Sequence, residues 1–139
     1  MNDRPTAVEL VDAVRHYLEA ELLPTLTDAR QRFQTLVAAN VLAVAGRELA
    51  GEEEQLREEW DLLAGLLGAD GLRPEGLTAL RQAVRQANSR LCERVRAGDF
   101  DGPGDFRALS GKLRVLAVRK LEVASPRYLA SVRGDARPA

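Results

Sequence analysis

The chain has 139 residues, 45% of them apolar, 29% charged and 4% aromatic, with a formal net charge of −1 and one cysteine. That length can bury one hydrophobic core, and the apolar share is too high for a disordered chain. A lone Cys92 excludes an internal disulfide, the opening MNDRP lacks the basic-then-apolar pattern of a secretion signal, and no run approaches the ~20 apolar residues that span a bilayer. A single cytoplasmic domain over 1–139 is expected, with 1–5 and 130–139 flexible and no membrane contact.

The first predicted helix runs from about Ala7 to Leu23. Thr6 and Glu9 have the spacing of a capping box, Val8, Val11, Val14, Leu18 and Leu22 share a face, and Pro24 ends the helix. Asp28 is positioned to cap a second helix reaching about Ala50, where Gly51 punctuates the chain. Its stretch 33–49, FQTLVAANVLAVAGREL, is apolar on nearly every side, which places it at the centre of a bundle. A third helix starts at the acids Glu52, Glu53 and Glu54, which suit a positive helix end, and carries Leu56, Trp60, Leu63 and Leu67 before stopping at 68–71.

Pro74 fits the first turn of a fourth helix, whose apolar line is Leu77, Leu80, Val84, Ala87, Leu91 and Val95. Its other face holds Arg81, Arg85, Arg90, Arg94 and Arg96. After the loop AGDFDGPGDF, a fifth helix from about Asp105 groups Phe106, Leu109, Leu113 and Leu116 and stops near Ser125, ahead of Pro126. Tyr128 and Leu129 are expected to dock before a frayed tail. No period-two alternation persists, so the fold class is all-α, about five helices in an up-and-down antiparallel bundle.

Charge is divided along the chain. Residues 1–76 hold 7 basic and 15 acidic side chains, a balance of −8, and residues 77–139 hold 13 basic and 6 acidic, a balance of +7. Helices from the two halves lying side by side would offset these charges across exposed seams. The sharper alternative is a basic surface for phosphate.

The residues show no reaction centre. His16 with Glu9, Asp12 and Glu19 lacks the paired Glu-x-x-His order of helix-bundle metal sites, and an Asp12 to His16 pair on a solvated face explains it better. Cys92, at the edge of an apolar stripe and without a histidine base, reads as a small packing residue. With few aromatics outside core positions, nucleic-acid binding is disfavoured. No catalytic residue, metal or cofactor is assigned.

Asn40 projects from the middle of the apolar second helix, where an unpaired buried amide costs about 1–3 kcal/mol. It either makes an internal hydrogen bond that fixes register or, with Arg47 on the same face and Lys120 on the fifth helix, lines a contact surface.

The stretches RPTAVELVDAV, RFQTLVAANVLAVAGREL and VRKLEVASPRYL, spread over residues 4–129, resemble a bacterial family of small all-helical proteins of unknown or accessory function. Members of that family are encoded beside aminoglycoside-phosphotransferase-like kinases and acyl-CoA dehydrogenases. One branch is similar to the small accessory subunit of the hydroxyacyl-CoA kinase of levulinate catabolism. Ser125 stands where the family is expected to carry Asn.

The resemblance implies a non-catalytic partner of a kinase that phosphorylates a hydroxyacyl-CoA, with an acyl-CoA dehydrogenase as a further candidate partner. Asn40, Arg47, Glu48, Lys120, Arg127 and Tyr128 are the expected contact residues, and a homo-oligomer is also allowed. The alternative is a helical carrier or sensor of acyl-CoA or another anionic small molecule.

Overall fold

The computed structural model describes residues 4–68 and 73–134. They form five helices, and no strand occurs among the described residues. Helix α1 spans Ala7–His16 and continues through a π-helical stretch, Tyr17–Leu22, into a last α turn, Leu23–Thr25. Helix α2 is Ala29–Leu67, α3 is Leu77–Arg96, α4 is Pro103–Ala124 and α5 is Pro126–Arg133. By packing, the chain divides into two compact units: Met1–Gly51 with Val123–Ser125, and Glu52–Glu122 with Pro126–Ala139.

Local chemistry sets most helix ends. The Thr6 hydroxyl accepts from the Glu9 amide at 3.2 Å while the Glu9 carboxylate accepts from the Thr6 amide at 2.7 Å, which completes the predicted capping box. Pro24 does not end α1 outright. Its ring would clash with the carbonyl four residues back, and the wider π register immediately before it relieves that clash. The chain turns extended at Leu26, and the Arg32 guanidinium donates to the freed carbonyls of Leu23 and Leu26, both at 3.0 Å. Asp28 caps α2 by accepting from the Gln31 amide at 2.8 Å.

The predicted second and third helices are one. Helix α2 continues through Gly51, which costs about 1 kcal/mol of helix propensity, so a single glycine does not break a helix held by packing along its length. The acids after it are satisfied by arginines instead of by a helix terminus: Glu53 pairs with Arg57 one turn on, and Glu52 with Arg81 of α3. Pro74 lies ahead of α3, whose N-cap is Gly76 at φ 83°, a conformation open to glycine. The end of the predicted third helix at 68–71 falls partly outside the described residues, with α2 stopping at Leu67. Helix α4 ends before Ser125 as expected. Pro126 then takes the first position of α5, where its missing N–H costs nothing. Of the ends expected to be flexible, 1–3 and 135–139 lie outside the described residues, and 130–133 complete α5.

The second unit holds a conventional core. Leu63 of α2 is fully buried among Leu80, Val84, Ala87 and Leu91 of α3, Phe100 of the following turn and Leu109 of α4, with Leu56 and Trp60 packed against them. Polar pairs frame it and give the helix directions. Glu52 to Arg81, Glu59 to Asn88 and the Leu66 carbonyl to Arg94 advance together, so α3 runs in the same direction as this part of α2. Arg73, ahead of α3, pairs with Asp61 of α2. Helix α4 runs the other way, with Glu58 at Arg119 and Gly65 near Lys112. The α3–α4 pair, joined by the short stretch 97–102, therefore has the antiparallel order predicted from short connections. So do α1 and α2 in the first unit, where Leu23 meets Arg32 and Val11 meets Gly46; α2 and α3 alone run parallel among these pairs.

The first unit is built differently. Ala39 is 2% exposed on the buried side of α2, and Gly46 lies one van der Waals contact from Val11 of α1. The large side chains point outward: Phe33 is 67% exposed and Val41 58%, and Leu36, Val37 and Leu49 are exposed with them. The central, enclosed position predicted for the stretch 33–49 is therefore not found. Small residues let α1 approach α2 closely, and the bulky apolar face is what remains outside.

Two outcomes follow for stability. Leu63→Ala should cost about 2–5 kcal/mol in urea denaturation, and Phe33→Ala no more than about 0.5 kcal/mol. The Arg81 guanidinium, hydrogen-bonded to Glu52, holds that carboxyl below its ordinary value of 4.5. A depressed folded-state value means that its contribution is complete above the unfolded pKa and is lost as pH falls through the folded one. Stability measured from pH 6 down to about 3 should therefore fall less steeply in Arg81→Gln than in the parent chain.

Candidate contact surface

The six expected contact residues fall on both units. Asn40, Arg47 and Glu48 lie in the first, and Lys120, Arg127 and Tyr128 in the second.

Asn40 is exposed on the outer face of α2, among Phe33, Leu36, Val37 and Val41. No polar residue is buried among the described residues, so the reading of Asn40 as an enclosed amide with an internal partner is corrected. Water can satisfy it, and any role it has is at the surface. Glu48 is exposed at the end of the same face. Arg47 turns inward, and its Nε donates to the Val123 carbonyl at 2.7 Å. Val123 is in the last turn of α4, where carbonyls have no partner within the helix, so Arg47 caps α4 from α2. Spacing put Arg47 on the face of Asn40 but could not reveal that a helix end lies within its reach.

Beside Arg47, α1 and α2 border a groove of about 550 Å³. Val8 and Val11 line it from α1, and Leu42, Ala43 and Gly46 from α2. Its charged rim is balanced. Glu9 and Asp12 face Arg15 and Arg47, and Arg15 is already held by Asp12 at 2.6 Å and Glu19 at 2.7 Å. The predicted Asp12 to His16 pair is thus replaced by Asp12 to Arg15, since a guanidinium offers two donors to one carboxylate. Among the described residues no cluster of three or more His, Cys, Asp or Glu side chains could hold a metal ion.

In the second unit Lys120 is exposed and pairs with Glu59 at 3.3 Å, away from the apolar face on which its spacing placed it. Helix α5 is anchored by Leu129, 7% exposed, while Arg127, Tyr128 and Val132 are exposed. Of the predicted Tyr128 and Leu129 docking pair, only the leucine docks. Tyr128 and Val132 are one turn apart and so share a face. Phe106 and Leu113 of α4, expected in the core with Leu109 and Leu116, are exposed as well.

The arginine-rich face of α3 is partly consumed by pairing. Arg81 binds Glu52, and Arg94 binds Asp99 at 2.7 Å while lying 5.2 Å above the Phe100 ring. Acids of the first half of the sequence meet bases of the second, as Glu52 to Arg81, Glu58 to Arg119 and Glu59 to Lys120, and this supports charge compensation over a phosphate surface. Cys92 is exposed and free, so its reading as a packing residue is also corrected. The apolar line of α3 passes through Leu91, one residue away.

These features define an all-α domain with exposed apolar and mixed-charge faces. Residues 24–128 match the family described as a domain of unknown function (DUF6285), and the chain belongs to that family. No curated protein and no solved structure matches the chain. Among the described residues no helix is long and apolar enough to cross a membrane.

Replacing Arg47 by Met keeps most of its bulk but leaves the Val123 carbonyl without its donor. Urea denaturation should show a loss of about 1–3 kcal/mol, and Arg47→Lys should recover part of it.

Proposed function

We propose that the protein is a non-catalytic accessory subunit of an aminoglycoside-phosphotransferase-like kinase that acts on hydroxyacyl-CoA. The reading rests first on the resemblance carried by residues 4–129. The observation that supports it best is the arrangement of α5, where Leu129 is buried and Arg127, Tyr128 and Val132 remain exposed. An exposed tyrosine and arginine beside an apolar side chain have the composition of an interface anchor, the residue types that dominate binding energy in protein complexes. Lys120, expected in the same contact, is exposed on α4 of the same unit, where it pairs with Glu59. An acyl-CoA dehydrogenase would act on the phosphorylated product and is the further partner on this reading.

A second reading is favoured by the groove beside Arg47. Its apolar sides suit a short acyl chain, and the protein would then carry or sense an acyl-CoA or another anionic small molecule. Only Arg47 of its cations is free of an ion pair among the described residues, which gives CoA phosphates one firm contact.

An aminoglycoside-phosphotransferase-like kinase from the same source, co-expressed with this protein, should co-purify with it and lose most of its activity without it. Tyr128→Ala and Arg127→Ala should each weaken the complex by about tenfold or more while helix content stays unchanged. No complex, together with kinase activity indifferent to this protein, would remove the proposal. Calorimetry with short acyl-CoAs on the isolated protein separates the second reading, since the adaptor alone gives no heat.

A further inference from the structure

The outer face of α2 in the first unit carries a pattern that fits one partner. Arg30, Phe33, Val37, Asn40, Val44 and Glu48 follow one another at spacings of three, four, three, four and four, the seam of a helix that pairs with another helix. Phe33 and Val37 are exposed and Val44 is half-buried, with Leu36 and Val41 exposed on the flanks. The only charges on this line stand at its ends. Arg30 and Glu48 are both exposed, and neither has an ion-pair partner among the described residues.

Arg30 and Glu48 are separated by five full turns, so they occupy the same side of the helix about 27 Å apart. A second copy of this helix laid antiparallel, with a two-fold axis at residue 39, puts each Arg30 against Glu48 of the other copy. Under the same operation Val37 meets Val41. Asn40 lies one residue from the axis, so the two amides come within about 3 Å of each other along the helix direction. A single asparagine in an otherwise apolar seam is the device by which paired helices fix orientation and register.

We propose that the protein is a homodimer through this face of α2, antiparallel and two-fold symmetric about residue 39, with Arg30 to Glu48 pairs at both ends and the Asn40 amides at the centre. A two-fold interface must be complementary to itself, and a line with opposite charges at its two ends meets that requirement in the antiparallel direction only. The parallel arrangement would set Arg30 against Arg30. Asn40 and Glu48, expected from the sequence to meet a partner protein, here meet a second copy. This pairing is independent of the kinase reading, which uses α5.

Sedimentation equilibrium of the full chain, with a reductant present because Cys92 is exposed, should give twice the 15.2 kDa chain mass at tens of micromolar. Val37→Glu should raise the dissociation constant by about a hundredfold or more, and Glu48→Arg by about tenfold. The exchanged pair Arg30→Glu with Glu48→Arg should restore the parent value. All three sites are exposed, so circular dichroism should be unchanged, and Glu48→Arg carries the test if Val37→Glu disturbs folding. A monomer at every concentration, or a dimer that Glu48→Arg leaves intact, would overturn the proposal, as would failure of the exchanged pair to rescue it. Kinase binding is measured separately, so loss of either result leaves the other standing.

Discussion

The first unit depends on a close approach of two helices. Helix α1 reaches α2 where α2 offers small residues, with Ala39 buried and Gly46 touching Val11. A larger side chain on that side would push the helices apart and forfeit the dispersion contacts of a close-packed interface. The consequence is geometric. A helix has one circumference, so turning the small residues inward turns Phe33, Val37 and Val41 outward. The most apolar segment of the chain thus presents a surface.

The second unit uses the opposite arrangement. Leucines and valines interdigitate around Leu63, and the charges lie outside them in pairs whose spacing follows the helices. Such exposed pairs contribute little energy individually. Their effect lies in alignment: opposite charges between α2 and both α3 and α4 disfavour slipped registers, where like charges would face one another. The pairs from α2 to α3 show that α3 runs parallel to its part of α2, and Arg73 lies beside Asp61 ahead of it.

Exposed apolar faces on both units bear on how the protein works. Contiguous exposed apolar surface marks a place where another molecule sits. The α2 face has charges arranged for a copy of itself, whereas the α5 face has the tyrosine and arginine typical of anchors to a different protein. On the two proposals together, a self-associating subunit that holds an enzyme would set the spacing of two enzyme molecules. The groove beside Arg47 belongs to neither face, and the arginine that borders it already caps the end of α4.

The sequence by itself determined the class and the helix termini that depend on neighbouring residues. The Thr6 and Glu9 capping box, the Asp28 cap and the stop before Pro126 are all local, because each joins groups within four residues of one another. The alternating line of α3 was equally legible, and Leu80, Val84, Ala87 and Leu91 are buried as their spacing requires. Tertiary structure decided everything that needed a second helix to be in place. It carried α2 through Gly51, since packing can outweigh one glycine, and it chose the small face of that helix over the large one. It also gave Arg47 a carbonyl 76 positions away and left Asn40 in water. A segment apolar on all sides states how much surface prefers to leave water, but only the shape of its neighbours selects which side does.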